Sequence, residues 1–311
     1  MTRPRRPLRS VWLGNPRYMS AYGLGVAQAM ASLGHWHRPV SIWDELAEIE
    51  KQLAEMQPDV IWTHSVAWPP VGAREAKDLL PILGRWKRRG ACVFLHDGDP
   101  RARTLDGSLD VEASFTLALV NRAIDPNPWP IPSLRWPYAA MVQREIGAPV
   151  EEWRCDLLFA GHLRRDAEGY GDRTKLVYAL ARWLGPKMRV ISPGGGDVNN
   201  RMLVADVAPS AGAVLGYGRP GVPGWIDTRV FQWPGAGGLL IHDDAGDVLA
   251  PDEHFLRFDP KDAVESVLRC LARAPSEGPA IRARAFAHVQ RSHTWVQRVE
   301  QALGAFYEGK T

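Results

Sequence analysis

The sequence predicts an α/β fold of two domains, and three features carry that prediction. The chain has 311 residues, beyond the ~100–200 of a common single domain. Short runs rich in Val, Ile and aromatic residues alternate with longer stretches of helical periodicity, the pattern of parallel strands in βαβ units. A stretch with five prolines, Asp125 to Pro137, separates two such series. The expected domains are residues 1–150 and 151–311, each a doubly wound parallel sheet.

In the first half the expected strands are Ser10 to Leu13, Val40 to Trp43, Val60 to Thr63, Cys92 to Leu95 and Phe115 to Val120. Between the third and fourth, Ala73, Ala76, Leu79, Leu80, Leu83 and Trp86 recur at helical spacing, with Pro81 marking a kink or a new start. The proline-rich stretch reads as an extended, irregular connection. In the second half Asp156 to Ala160, Met188 to Ser192, Ala213 to Tyr217 and Gly238 to His242 read as strands. Thr174 to Leu184 reads as a helix whose apolar face is Leu176, Val177, Leu180, Trp183 and Leu184. Asp259-Pro260 opens another in the expected way, an acceptor at the cap and proline in the first turn. Trp295, Val299, Leu303 and Phe306 give the last helix one apolar face.

Composition narrows the function. Gly 29 and Pro 25 amount to about one residue in six, below the level of a low-complexity chain. No stretch reaches the ~18–20 unbroken apolar residues of a membrane span, and the apolar run after the N-terminal arginines is stopped by Gly14-Asn15-Pro16. A cytoplasmic protein is expected. Three cysteines without CxxC spacing indicate neither a disulfide framework nor a thiolate zinc site. The net charge of +3 permits an anionic ligand without marking a dedicated nucleic-acid binder. Basic residues cluster at Arg3 to Arg9, Arg85 to Arg89 and Arg164-Arg165.

The motifs sit at strand ends. Gly14 to Gly25 runs from a strand into a helix and includes Tyr22 and Gly23, a substrate loop or a plain strand-to-helix turn. Gly23-x-Gly25-x-x-Gln28 lacks the third glycine of a dinucleotide fingerprint, and no Walker lysine follows. His96-Asp97-Gly98-Asp99 follows a hydrophobic strand. Its carboxylates can share a divalent cation or supply a general base, with His96 competing for that role, or form a plain Asp-Gly turn. Gly161-His162-Leu163-Arg164-Arg165, with Arg173 and Lys175, is a glycine turn bearing cations suited to a diphosphate leaving group, or a solvated loop.

The most informative stretch is Asp227 to Asp244, DTRVFQWPGAGGLLIHDD. It resembles the C-terminal part of the spore-maturation CgeB-like glycosyltransferases, a GT-B group, whose pattern is Arg-x-Phe-Glu, a short helix, a Gly-rich turn and an apolar strand ending in an acid. Arg229, Phe231, Gly235, Gly237, Gly238, Leu239 and Asp243 fit it. The resemblance continues through Phe255 to Asp259 and through His293-Thr294-Trp295 with Arg298, with looser echoes at Asp156 to Gly161, Arg173 and Asp97 to Pro100. One departure stands out: Gln232 occupies the glutamate position that in related enzymes holds the donor ribose.

That resemblance implies a GT-B fold of two Rossmann-like domains facing a cleft, and a glycosyltransferase, by implication a hexosyltransferase, needing no cofactor and no metal. The nucleotide-sugar donor would meet Gly161, Arg164, Arg173, Arg229, Gln232, Gly237 and Gly238, with the amides and dipole of the helix around Phe231 to Gly235 aimed at its phosphates. Asp97 or Asp99, with His96, would deprotonate an acceptor hydroxyl. The acceptor is open, and a hydroxymethylated pyrimidine in DNA is one candidate. Two alternatives stand beside this: a metal-dependent GT-A-like transferase using Asp97 and Asp99, and an inactive GT-B module that binds a nucleotide or glycan.

Overall fold

A computed structural model describes residues 6–14, 22–64, 78–97, 111–120, 130–161, 163, 171–191, 201–218 and 226–308. The chain forms two α/β units, one of Met1–Pro137 with Trp295–Thr311, the other of Tyr138–Thr294.

The first unit runs β1 (Arg9–Gly14), α1 (Leu24–Ser32), β2 (Trp36–Ser41), α2 (Leu46–Met56), β3 (Val60–His64), α3 (Leu80–Arg88), β4 (Cys92–Asp97), α4 (Val111–Ser114), β5 (Leu117–Val120) and β6 (Ser133–Arg135), and takes back α9 (Trp295–Glu308). Among the described residues its strands are parallel, in the order β2-β1-β3-β4-β5-β6. Alternation along the strands divides its core in two. Val11, Leu13, Ile61, Val93 and Leu95 face an aliphatic layer with Ile49 and Leu53 of α2 and Leu83 and Trp86 of α3. Ser10, Trp12, Trp62, Phe94 and His96 are buried in the alternate positions, and there the aromatic rings of Tyr22, Trp136 and Trp295 pack. Burial on both faces is why these strands read as continuous apolar runs.

Two strands differ from the sequence expectation. β2 starts at Trp36 and ends at Ser41, before Ile42 and Trp43. It is an edge strand, so half of it is polar and exposed and its Pro39 removes no needed donor. β6 lies inside the proline-rich connection, where Ser133 pairs with Ala118 and the Pro132 carbonyl accepts from the Ala118 N–H at 2.9 Å. An edge position makes that proline content tolerable. Pro81 marks a start and not a kink, since it falls in the first turn of α3.

A small polar network crosses the edge of this sheet. The Trp62 indole N–H donates to Ser10 Oγ at 3.2 Å, and Ser10 Oγ lies 2.7 Å from His37 Nδ1. Ser10 Oγ thus joins the Trp62 indole to the His37 ring. Burial pushes the His37 pKa down to about 4. The unfolded chain therefore binds the extra proton first, and stability present above pH ~6.5 is lost as pH falls toward 4, by up to about 3 kcal/mol. Urea unfolding at pH 7.5 and pH 5 should show this slope reduced in His37→Gln; an unchanged slope would refute the assignment.

The second unit runs β7 (Cys155–Ala160), α5 (Gly171–Leu184), β8 (Met188–Ile191), α6 (Arg201–Val207), β9 (Ala211–Leu215), α7 (Arg229–Gly235), β10 (Leu240–His242), β11 (Leu256–Arg257) and α8 (Ala263–Ser292). Its described strands are parallel in the order β11-β10-β9-β7-β8. Leu157 and Phe159 pack with α5 and α8 through Leu176, Leu180, Val267 and Ile281, while Leu158 and Ala160 pack with Val204 and Val207 of α6 and Trp233 of α7. Asp259 accepts from the Lys261 N–H at 2.9 Å, a cap on the short 3₁₀ turn that leads into α8. Among the described residues no helix is long and apolar enough to cross a membrane.

Candidate functional site

Parallel register places the ends of β7, β9 and β10 at one edge of the second sheet, since Phe159 pairs with Leu215 and Leu215 with Ile241. Ligands of such sheets bind beyond the carboxyl ends of the strands. Here Gly161 follows β7, Gly216 to Gly218 follow β9, and Asp243-Asp244 follow β10. Arg173 belongs to the first turn of α5, and Arg229 begins α7.

Arg229 is tied down at three points. Its Nη1 pairs with Asp227 Oδ2 at 2.6 Å, its Nε donates to the Ala160 carbonyl at 2.9 Å, and its backbone N–H donates to Asp227 Oδ1 at 2.8 Å. The Nη2 end lies over Gly161, where a methyl group would overlap it. The Phe159 ring lies between cations, with the Arg229 guanidinium carbon 5.9 Å and that of buried Arg173 6.0 Å from its centre. Burial pushes the Asp227 carboxyl up, but the Arg229 charge and N–H, helped by His242 and Arg173, outweigh it and hold the pKa below its ordinary value. Two guanidinium groups thus meet at this edge, the side-chain type whose planar fork matches an anion with several oxygens.

The first amides of α7 are already taken. Arg229 N donates to Asp227 Oδ1, Val230 N to the Asp227 carbonyl, and Phe231 N and Gln232 N to the Thr228 carbonyl. The amides expected to face an anion at this helix are thus taken up from within. Gln232, one turn further, is half-buried, and its side chain makes no hydrogen bond among the described residues. Gly237 and Gly238 lie elsewhere: they follow the C-terminus of α7 and precede β10, at the opposite edge of the sheet from Gly161. Gly237 has φ +85° and packs on Ile146; Gly238 packs on the Trp233 carbonyl and Ala208.

Beyond β10, His242 is buried with its ring against Gly216 and its Nδ1 3.0 Å from both the Asp244 N–H and Asp243 Oδ1. Asp243 also accepts from the Gly218 N–H at 2.6 Å. Burial pushes the Asp243 carboxyl up, yet the His242 and Gly218 contacts prevail and keep it below its ordinary value. Sequence reasoning gave no role to Asp227 or His242. The signal for Asp227 was local, a carboxylate two residues before the first helical N–H.

In the first unit, His96 is fully buried and stacks on buried Tyr22 with centroids 4.2 Å apart, edge-on to Trp136 at 5.4 Å. Gly23 packs beneath the Trp12 ring. The structure therefore brings Tyr22, Gly23 and His96 into the aromatic core. Asp97 ends β4, opposite Val120. Asp99 and Arg164 lie outside the described residues. Several described members of the basic clusters have internal partners: Arg6 holds Asp59 through both guanidinium nitrogens at 3.0 and 2.6 Å, Arg85 pairs with Glu50, Lys87 donates to the carbonyls of Glu112 and Phe115, and Arg89 lies 4.9 Å over the Trp86 ring. Trp12, Trp86 and Trp136 are buried.

No curated protein matches the chain. Among solved structures, an α1,3-fucosyltransferase matches with a TM-score of 0.52 at 11% identity, over 99% of this chain and 91% of that one. The lipopolysaccharide outer core galactosyltransferase WaaB, in its apo form, matches with a TM-score of 0.51 at 12% identity, over 96% of this chain and 99% of that one. At such identities the likeness is one of fold. The chain is an α/β protein of GT-B type with two Rossmann-like domains, and its residues 165–304 match the family model described as glycosyl transferase-like.

Proposed function

We propose that this chain is a CgeB-like glycosyltransferase that moves a hexose from a nucleotide diphosphate sugar to a hydroxyl acceptor. The observation that carries the reading is the pair of guanidinium groups of Arg173 and Arg229 at the carboxyl edge of the second sheet. Charge develops on the diphosphate as the glycosidic bond breaks, and two fixed cations stabilise it without reorganising. Gly161 leaves the space for this approach, and Gln232 is the proposed partner of the donor ribose, accepting from and donating to hydroxyls as a neutral amide. Arg164 is proposed to join the cations, and Gly237 and Gly238 to act indirectly by fixing the end of α7. Asp97 or Asp99 is the proposed base for the acceptor, with buried His96 behind it. No cofactor enters this scheme. The acceptor classes to offer are glycans, proteins and a hydroxymethylated pyrimidine in DNA.

Thermal shift against UDP, GDP, ADP, TDP and CMP and their sugars, with manganese or chelator, tests the donor site. A ligand that binds the folded chain raises its melting temperature. One nucleotide should do so in either metal condition, and Arg229→Ala should abolish the shift. No shift from any nucleotide would refute the reading, and a shift that requires manganese would favour the GT-A-like use of Asp97 and Asp99. Gln232 in place of glutamate motivates a second reading, a binding module without turnover; donor binding with neither hydrolysis nor transfer would support it.

A further inference from the structure

We propose that Asp227 is a positioning residue: its buried carboxylate sets the Arg229 guanidinium in the plane and place where it meets a diphosphate. The proposal rests on the reading of Arg229 as a donor contact and adds the group that aims it.

Asp227 is 3% exposed and turns both oxygens to Arg229, Oδ1 to its N–H at 2.8 Å and Oδ2 to Nη1 at 2.6 Å, with the Thr228 hydroxyl 3.4 Å from Oδ1. The first bond fixes the backbone at the start of α7, and the second fixes the far end of the side chain that leaves it. The Ala160 carbonyl, 2.9 Å from Nε, takes the donor on the remaining inner edge. Together these consume the edge of the fork that faces the protein. Nη2, over Gly161, is the nitrogen without a partner among the described residues. A free arginine side chain samples many rotamers, and one held this way loses little further freedom when an anion arrives. Arg173 adds a second guanidinium beside the same Phe159 ring, and its charge, like that of Arg229, favours the ionised Asp227 carboxylate. A carboxylate beside an anion site is otherwise unfavourable, and its two-point grip on Arg229 supplies the physical reason for its presence. The ligand class is a diphosphate, free or as the bridge of a nucleotide sugar.

The test measures inorganic pyrophosphate and UDP, GDP, ADP and TDP binding by titration calorimetry on the full chain. Asp227→Asn keeps an oxygen for the Arg229 N–H and loses the ionic grip on Nη1. It should weaken the bound diphosphate about tenfold, and the same change placed in Arg229→Gln should have less than about a twofold effect. A merely structural carboxylate would weaken both backgrounds alike, and that result would overturn the proposal. Should Asp227→Asn fail to fold, Arg229→Lys decides: the charge and the backbone N–H bond remain but the guanidinium fork that Asp227 Oδ2 and the Ala160 carbonyl hold is gone, so pyrophosphate should again bind about tenfold more weakly. Native affinity in Arg229→Lys would overturn the positioning role alone. No binding of pyrophosphate or any nucleotide by the native chain would overturn the donor-site reading and this proposal with it.

Discussion

Truncating Trp136 to alanine is expected to lower the stability of the first unit by about 3–5 kcal/mol, the range for deleting a large buried aromatic. The side chain is fully buried, with its ring stacked 6.0 Å from Trp62 and edge-on to Tyr22, His96 and Trp295 at 5.4–5.5 Å. Its indole N–H donates to the Arg298 carbonyl at 2.6 Å, and Arg298 Nε donates to the Pro137 carbonyl at 3.1 Å. Removal therefore opens a cavity between the β-sheet and α9 and takes away the hydrogen bond that the indole makes to the Arg298 carbonyl. Burial, with Arg135 nearby, already pushes the Arg298 pKa down to about 10, a sign of how little water reaches this corner. Trp136→Phe keeps most of the packing and loses the hydrogen bond, so it should fall between the two. Chemical denaturation followed by tryptophan fluorescence measures both, and a loss under about 1 kcal/mol for the alanine variant would mean that α9 is not clamped to this sheet as described.

How far the sequence reveals this molecule depends on the range of the interaction involved. The central strands β1, β3, β4, β7 and β9 are legible because burial on both faces writes itself into consecutive residues such as Val60 to Thr63 and Leu157 to Ala160. The edge strands β2 and β6 are not, because an exposed face relaxes the pattern and admits Pro39 and Pro132. The apolar face of α9 is legible from Trp295, Val299 and Leu303, but which sheet it covers depends on Trp136 and Tyr22, distant in sequence. At the candidate site, Gly161, Arg173 and Arg229 announce themselves as a glycine or a cation beside a strand or helix end. What brings them together, the Arg229 Nε bond to the Ala160 carbonyl and the shared Phe159 ring, is a tertiary fact. Asp227 is silent in the sequence for a related reason: whether a short-range carboxylate only caps its helix or also grips a side chain depends on where that side chain must reach.

Two glycines separate the chemistry of the site from the packing around it. Gly161→Ala places a methyl group where Arg229 Nη2 lies. A free arginine would swing aside at little cost, but this one is held by Asp227 and the Ala160 carbonyl, so moving it breaks the bonds that aim it. The expected result is a folded chain whose diphosphate binding falls at least about tenfold, through the loss of charge-assisted bonds. Gly237→Ala is the converse. Its φ of +85° disfavours any side chain, by about 1–2 kcal/mol for an alanine, and the added methyl would also press on Ile146. Yet it lies at the other edge of the sheet from Gly161. It should lower the melting temperature by several degrees while the folded fraction binds diphosphate as the native chain does. Calorimetric titration with pyrophosphate on both variants, beside their thermal unfolding, reads the two effects separately. Loss of binding in Gly237→Ala with Gly161→Ala unaffected would move the anion site to the Gly-rich turn and away from Arg229.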